Sequence, residues 1–215
     1  MTMAGKIDIN TSLKEKNDRI AAENRELFRK KGLRVFNLIG SPGCGKTALL
    51  EATAEVLKDR LAVIEGDVKT TQDADRITRA GAQAVQIQTG GACHLNAEMV
   101  QKALGGLGLD GVSVLVIENV GNLVCPSTFD LGETVKVAVV SLPEGDEKPS
   151  KYPALFTRAG LVVINKIDLK PVMDFNIGRV KSDCRKLKAD VEIIELSAKT
   201  REGVGEWIQF LLGSP

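Results

Sequence analysis

The fold of this chain is decided by the octapeptide Gly40-Ser41-Pro42-Gly43-Cys44-Gly45-Lys46-Thr47. It fits the pattern G-x-x-x-x-G-K-[ST], whose glycines let successive backbone N–H groups point inward at a phosphate. An apolar run at residues 33–39 precedes it, and a helical pattern opens at Lys46. Strand, loop and helix therefore follow one another in the order of a phosphate-binding P-loop.

Each position of this loop has an expected role. The backbone is expected to contact nucleotide phosphate at Gly40, Gly43, Cys44 and Gly45. Lys46 would reach the β- and γ-phosphates, and the Thr47 hydroxyl would ligate Mg²⁺. The helix that follows would add its positive dipole end. The Cys44 side chain is expected to be a small packed group rather than a reactive thiol.

Two later motifs indicate which base the nucleotide carries. Asn165-Lys166-Ile167-Asp168 follows an apolar run at residues 161–164. A carboxylate at Asp168 can accept hydrogen bonds from both N1–H and N2–H₂ of guanine, whereas adenine offers no such pair of donors. Asn165 is expected to brace the neighbouring loop or the purine edge, and the Lys166 stem to lie along the base. Ser197-Ala198-Lys199 matches the third base-contacting loop of GTPases, so GTP or GDP is the expected nucleotide.

Length and composition predict one domain of ordinary size, since 43% of the 215 residues are hydrophobic. A net charge of +1 gives no broad field that would attract nucleic acid or an anionic membrane, and neither is an expected partner. The longest apolar runs have strand length and the first ten residues lack a signal-peptide core, so a cytoplasmic protein is expected. Four cysteines are too few for a disulfide scaffold and are expected to stay as thiols.

Short β-branched runs alternate with longer helical patterns along the chain. This alternation predicts an α/β fold of the P-loop NTPase type, with a mostly parallel sheet of about seven strands and helices on both faces. Ligands of such sheets bind at the carboxyl ends of the strands, where the nucleotide motifs lie. The predicted strands are residues 35–39, 61–65, 84–87, 112–117, 135–141, 161–164 and 191–196.

Residues 1–32 are predicted to form an N-terminal helical arm, followed by a nucleotide-binding domain at 33–215. Leu13, Ile20 and Leu27 recur at intervals of seven, and Asn10-Thr11-Ser12 offers a capping cluster. Gly32 would end the helix as its C-cap residue. Three apolar positions make a narrow stripe, which favours an arm packed on its own domain over a helix that supports a partner or a dimer.

Three residues are candidate ligands for a softer metal. Cys93 and His94 follow residues 86–91, Cys125 follows residues 118–124, and His94 is the single histidine of the chain. Thiolate and imidazole suit Zn²⁺ or Ni²⁺ better than Mg²⁺. Both segments are expected at the carboxyl ends of neighbouring strands. From the residues alone, an incidental or structural pair remains the commoner alternative.

Two carboxylates at predicted strand ends are candidates for the Mg²⁺ and γ-phosphate region. Asp67 would be a second Mg²⁺ ligand, directly or through water. Glu118 would hold a Mg²⁺-bound water or orient the attacking water. The alternative for each is a strand-end residue that caps the next turn. Since no glutamine or arginine is placed as an obvious catalytic finger, hydrolysis is expected to be slow without a partner.

Taken together, these motifs resemble the HypB family, GTPases of the SIMIBI class that assist nickel insertion into [NiFe] hydrogenase. The resemblance covers residues 33–215, and its most specific parts are residues 91–95 and 118–126, which ordinary GTPases lack. It is carried by residues 40–47, 65–67, 89–95, 118–126, 144–153 and 165–168.

The resemblance implies a metal site of Cys93, His94 and Cys125 that binds nickel or zinc near a nucleotide-dependent homodimer interface. It also implies that Lys148 touches nucleotide across the dimer, the alternative being a solvated loop lysine. The implied partners are a HypA-like nickel protein and the hydrogenase large subunit.

Two other functions remain open at this point. A urease-accessory GTPase of the UreG type would tend to carry Cys-Pro-His after the corresponding strand, which this chain does not match. A regulatory GTP switch with a purely structural zinc site is the alternative from a different class. Residues 1–32 contain neither Cys nor His, so tight nickel storage by this segment is not expected.

Overall fold

The structure, a computed structural model, describes residues 9–67 and 72–213, with only the backbone described at residues 9–12, 67 and 72. Seven strands form one sheet. They are β1 Arg34–Gly40, β2 Leu61–Asp67, β3 Gln83–Gln88, β4 Val114–Glu118, β5 Val135–Ser141, β6 Leu161–Asn165 and β7 Glu192–Glu195. Every pairing is parallel, in the order β3-β2-β4-β1-β5-β6-β7, which confirms the predicted fold class.

Nine α-helices lie within the described ranges. They are α1 Ile9–Lys31, α2 Lys46–Leu57, α3 Gln72–Ala80, α4 Ala97–Leu104, α5 Cys125–Thr128, α6 Lys148–Lys151, α7 Pro153–Arg158, α8 Ile177–Leu187 and α9 Val204–Leu212. None of these helices combines the length and the apolar character that a membrane crossing requires.

Both faces of the sheet are buried, because alternate strand residues enter different cores. Phe36 and Leu38 of β1 pack in the core that contains α2 and α9, where Trp207 is fully buried. Val35, by contrast, packs in a core that includes Phe28 of α1 and residues of α4. Burial on both sides explains why the strands are apolar almost throughout.

The strand order corrects one expectation about the metal candidates. The strands before Cys93 and Cys125 are β3 and β4, and β2 lies between them rather than beside the pair. The two strands are therefore not neighbours, although their carboxyl ends lie at the same edge of the sheet. Sequence patterns predict strands but carry little information on their order in the sheet, which long-range pairing sets.

Helix α1 begins before the predicted capping cluster. Because it starts at Ile9, the segment Asn10-Thr11-Ser12 lies inside the helix and does not cap it. Its other end agrees with the prediction. Gly32 has φ +67°, its N–H bonds the Arg29 carbonyl at 3.1 Å, and Leu33 N–H bonds the Phe28 carbonyl at 2.9 Å. This pair of bonds closes the last turn.

The packed face of α1 differs from the predicted seven-residue stripe. Leu13 is 59% exposed and Leu27 37% exposed, whereas Ile20 is buried. Among the side chains of α1 that the structure describes, residues 13–31, those that are buried are Asn17, Ile20, Ala21, Asn24 and Phe28. Their spacing follows the 3.6-residue period of a helix that packs on one domain face. The helix lies against α4 of its own chain.

The segment at 144–153, which sequence patterns suggest is loop-like, contains short helical turns. A capping box joins Ser141 to Glu144, with both the Ser141 N–H and hydroxyl at 2.9 Å from the Glu144 carboxylate. Pro149 and Pro153 then stand in the first turns of α6 and α7, where a missing N–H costs nothing.

Substitutions on α1 should separate the observed face from the predicted stripe. Ile20→Ala should lower the free energy of unfolding by about 2 kcal/mol or more, because it leaves a cavity beneath the helix. Leu13→Ala should change it by less than about 0.5 kcal/mol, because that side chain is largely in solvent. Urea unfolding of both variants measures the difference, and equal losses would contradict the observed packing.

Candidate functional site

The phosphate loop joins β1 to α2 as predicted. Gly43 and Gly45 have φ of +77° and +95°, a region that residues with a side chain rarely adopt. A Cβ at Gly45 would also collide with the Asn165 amide. Cys44 is fully buried, and burial raises the pKa of its thiol to about 11 despite the nearby Lys46 ammonium. This thiol is a packing group.

The predicted catalytic side chains meet at the end of this loop. Lys46 Nζ lies 3.2 Å from the Gly40 carbonyl and 3.8 Å from Glu118 Oε1. The Thr47 hydroxyl donates to the same Glu118 oxygen at 3.2 Å. Glu118 therefore contacts both P-loop side chains. Asp67 is the last residue of β2, and its side chain lies outside the described residues.

A second buried carboxyl, to which the sequence analysis assigned no role, faces Glu118. Glu65 of β2 is the register partner of Glu118 of β4, and both side chains are buried. Burial and the Glu118 charge raise the pKa of Glu65 to about 10. Burial also raises the pKa of Glu118. At neutral pH Glu65 is therefore protonated and can donate to Glu118. A charged residue within an apolar strand was the signal that could have identified it.

These groups line a cleft of about 320 Å³. Its walls include Lys46, Thr47, Glu65, Asp73 and Glu118. Within the described part of the chain, one oxygen of Glu65 and one of Glu118 have no hydrogen-bond partner. Hydroxyl and carboxyl oxygens are the donors that Mg²⁺ prefers, so this set fits the predicted ion.

The two predicted base-binding motifs are joined to the P-loop through Asn165. Its Nδ2 donates to the Cys44 carbonyl at 3.0 Å, and its Oδ1 accepts from Ala198 N–H at 3.1 Å. The buried amide thus braces the neighbouring loop, which was one of its two expected roles. Lys166, with φ +63°, places its Nζ 2.6 Å from the Gly43 carbonyl.

Asp168 is held by the neighbouring motif. The Ser197 hydroxyl donates to Asp168 Oδ1 at 2.6 Å, which fixes the orientation of the carboxylate. Lys199 of the same motif is exposed. The residues of both motifs therefore lie together beside the P-loop, and their contact with guanine remains a prediction.

The three candidate ligands of the softer metal also converge. One ligand atom from each of Cys93, His94 and Cys125 lies within 4.8 Å of the others. Cys93 Sγ is 3.4 Å from His94 Nδ1, and all four cysteines of the chain are free thiols. Two thiols and an imidazole fit Zn²⁺ or Ni²⁺.

Local contacts hold the imidazole in place. The His94 ring stacks on Phe129 with a centroid distance of 3.9 Å. Burial lowers the pKa of His94, which favours the neutral ring that binds metals. A hydrogen bond from the Cys93 thiol to Cys125 favours the protonated form and raises the pKa of the Cys93 thiol.

Two asparagines connect the metal-ligand segments to the end of β4. Asn119, next to Glu118, accepts from Leu95 N–H at 3.1 Å through its Oδ1. Asn122 donates to the Cys93 carbonyl at 3.3 Å. The residue after the cleft carboxylate is thereby bonded to the residue after His94. No role was predicted for either asparagine.

Lys148 lies against the P-loop of its own chain. Its Nζ is 3.2 Å from the Ser41 hydroxyl and 3.3 Å from Glu144, and its side chain is 18% exposed. The alternative of a solvated loop lysine was wrong for this residue, because α6 carries it into the site. A contact with nucleotide across a dimer remains a prediction.

Comparison with known proteins identifies the family. A family model described as the CobW/HypB/UreG nucleotide-binding domain matches residues 34–195. The hydrogenase maturation factor HypB of Azotobacter vinelandii is 52% identical over 199 residues, which cover 91% of this chain and 65% of that protein. The chain belongs to the HypB family. HypB of Escherichia coli K12 is 45% identical over 213 residues, covering 98% of this chain and 73% of that protein.

A solved structure agrees with this family membership. HypB from Helicobacter pylori in complex with nickel superimposes with a TM-score of 0.89 at 44% identity, covering 92% of this chain and 94% of that chain. The resemblance predicted from the motifs is confirmed, and HypB is favoured over the UreG alternative. The chain spans about two thirds of the length of the Azotobacter HypB.

The buried carboxyl pair generates a prediction about pH. Because the pKa of Glu65 is about 10 when folded and 4.5 for an ordinary glutamate, the fold binds a proton that the unfolded chain has released. This stabilising contribution is complete below about pH 4.5 and is lost as pH rises toward about 10. In the Glu65→Gln variant this side chain cannot ionise. The melting temperature of the variant, relative to that of the unmodified chain, should therefore rise by about 4 °C or more between about pH 5 and pH 9.

The matched control for this measurement is Glu202→Gln, at an exposed position. It should leave the pH profile of the melting temperature unchanged. A Glu65→Gln profile parallel to that of the unmodified chain would contradict a raised pKa at Glu65.

Proposed function

We propose that this chain is a GTP-hydrolysing metallochaperone for nickel insertion into [NiFe] hydrogenase, and that it acts as a nucleotide- and metal-dependent dimer. One observation carries the proposal. A cluster of two thiols and one imidazole lies at the sheet edge that also carries a P-loop, and Asn119, the residue after Glu118, bonds Leu95, the residue after His94. The names of the relatives as hydrogenase maturation factors, and the nickel complex of the Helicobacter protein, support it.

In the proposed hydrolytic site, bound Mg²⁺ would neutralise phosphate charge as it develops. Thr47 is the proposed first ligand of the ion, and Asp67 the second. Lys46 would turn from the loop carbonyls to the phosphates, and Glu118 would hold or orient a water. Glu65, as the protonated member of the carboxyl pair, would donate to Glu118 and keep that carboxylate in position.

A slow intrinsic rate is part of the proposal. Among the described residues that line the cleft there is no arginine or glutamine. Lys46, Thr47 and Glu118 would then act without an arginine finger aimed at the transition state. Partner-supplied charge would accelerate the reaction, as it does for other P-loop GTPases.

The proposed assembly follows from the ligand count. Three ligands per chain leave a four-coordinate metal one ligand short, which water, a bridging thiolate or the second subunit would supply. Lys148 is proposed to contact nucleotide across this dimer. A HypA-like nickel protein and the hydrogenase large subunit are the proposed partners in the cytoplasm. Residues 1–32 would be a helical arm, and residues 33–215 the GTPase domain.

Guanine selection is tested at Asp168. Asp168→Asn replaces a charged acceptor by an amide and should weaken GTP binding by about 1.5 to 3 kcal/mol while xanthine nucleotide binding is gained. Asp174→Asn, at an exposed position six residues later, is the matched control and should keep GTP affinity. Isothermal titration measures both, and a preference of the unmodified chain for ATP over GTP would refute the base assignment.

Metal binding and its dependence on nucleotide test the rest of the proposal. Cys93→Ala, His94→Ala and Cys125→Ala should each weaken Ni²⁺ binding by about tenfold or more, with GTP affinity within a few fold. Cys184→Ala removes a buried thiol outside the cluster and is the matched control. The unmodified chain is titrated with Ni²⁺ in its apo, GDP-bound and GTP-analogue-bound forms, with sedimentation as the measure of dimerisation.

The expected result is a nickel affinity and a monomer–dimer balance that both depend on the nucleotide. By linkage, a nucleotide that favours the dimer must tighten metal held only in that dimer. Equal nickel affinity in the GDP and GTP-analogue states, with an unchanged monomer–dimer balance, would favour a regulatory switch with a structural zinc site instead.

A further inference from the structure

Helix α1 is bonded to both segments that carry the soft-metal ligands. Ala97 lies three residues after His94, and Asp130 and Leu131 lie five and six residues after Cys125. Two buried asparagines of α1 contact these same residues through their side-chain amides. Helix α1 therefore connects the two segments on this side of the domain.

Each asparagine reaches both segments. Asn17 accepts from Ala97 N–H at 2.9 Å and donates to the Asp130 carbonyl at 2.9 Å. Asn24 donates one N–H to the Ala97 carbonyl at 3.0 Å and the other to the Leu131 carbonyl at 3.1 Å. Each amide is therefore a bridge between the segment that follows His94 and the segment that follows Cys125.

Ion pairs repeat the same connection at the surface. Lys16 Nζ lies 2.7 Å from Glu98, the second residue of α4. Arg25 lies 2.7 Å from Asp130. A cavity of about 260 Å³ between α1 and the metal cluster is lined by Ile20, Asn17 and His94 among others. The helix thus forms one wall of a cavity that His94 also lines.

The fold provides no strand pairing between these two segments. They follow β3 and β4, which are separated in the sheet by β2. Their separation is therefore set by contacts outside the sheet. Asn119 and Asn122 bond the two segments to each other directly, and the α1 amides add bonds to the backbone of both.

The Asn24 amide also carries a cost that packing alone does not explain. Its Oδ1 is buried with no hydrogen-bond partner among the described residues. An apolar side chain of similar size would avoid that cost, since an unpaired buried polar atom is unfavourable. The two N–H bonds to Ala97 and Leu131 are what an apolar side chain would lose.

We propose that Asn17 and Asn24 are positioning residues of the metal site, and that their bridging amides set the distance between Cys93 and His94 on one segment and Cys125 on the other. The inference rests on the proposed metal function of these three residues. Helix α1 is in this view a structural component of the site, although it contributes no ligand.

The test compares nickel binding in full-length variants with GDP present. Asn17→Ala and Asn24→Leu should each weaken Ni²⁺ binding by about tenfold, because partners that orient ligands typically affect metal affinity by that factor. The absorption of the Ni²⁺–thiolate bond should shift in the same variants. GDP affinity should be unchanged, since neither residue contacts the P-loop.

Thr53→Val is the matched control for loss of a buried hydrogen bond. It removes the 2.8 Å bond from the Trp207 indole between α2 and α9, away from the metal segments. It should reduce stability while leaving nickel affinity and the thiolate spectrum as they were. Equal loss of nickel affinity in this control, or unchanged affinity in both asparagine variants, would overturn the proposal.

Hydrogen exchange provides a readout that does not need metal. In the metal-free protein, amides at residues 93–97 and 125–131 should exchange faster in Asn17→Ala and Asn24→Leu than in Thr53→Val. If the unmodified chain did not bind nickel, the proposed function would fail while this measurement still tested the bridge. Asn17→Ser, at the less buried position, replaces any variant that does not fold, and unchanged exchange there would overturn the proposal.

Discussion

The parallel pairing of all seven strands is the constraint on which the site depends. Because every strand points the same way, every carboxyl end lies at one edge of the sheet. The P-loop after β1, Glu118 on β4 and Asn165 on β6 meet there, and so do the soft-metal candidates. A single reversed strand would move its residues to the opposite edge. The apolar runs that form the buried parallel strands therefore also place the functional groups at one edge of the sheet.

A buried network of hydrogen-bonded polar side chains connects the segments at this edge of the sheet. Glu133 accepts from Asn37 at 3.2 Å, Asn37 accepts from Asn119 at 3.1 Å, and Asn119 accepts from Leu95 N–H. Satisfied networks of this kind stiffen a core, because breaking any one bond leaves a buried group unpaired. This hydrogen-bond network extends from Asn37 in β1 to Leu95, the residue beside His94. It includes Asn119, the residue beside Glu118. The side-chain amide of Asn119, which this network holds in place, therefore joins the segment that follows Glu118 to the segment that carries His94.

Most of the fold could be predicted from the sequence because its strongest signals are apolar and periodic. All seven strands were predicted, with bounds that differ by a few residues, and Gly32 was correctly predicted to end α1. The motifs predicted that Lys46, Asn165 and Ser197 lie close together, because each motif follows a strand of the same sheet. Hydrophobic patterns do not give the order of strands in a sheet, so the position of β2 between β3 and β4 was not predicted.

The residues that were missed are polar groups in buried places. Glu65 was predicted as the last residue of a strand, but its neighbour across the sheet depends on the β2–β4 register, which places it opposite the Glu118 carboxyl. The predicted stripe on α1 consisted mainly of leucines, whereas two of the five buried side chains at residues 13–31 are asparagines. A carboxamide is hydrophilic by any sequence scale, yet in a helix that must hold two backbone segments at once it supplies two N–H donors and an acceptor that no apolar side chain has. Its burial becomes predictable only when the positions of the carbonyls that it bonds are known.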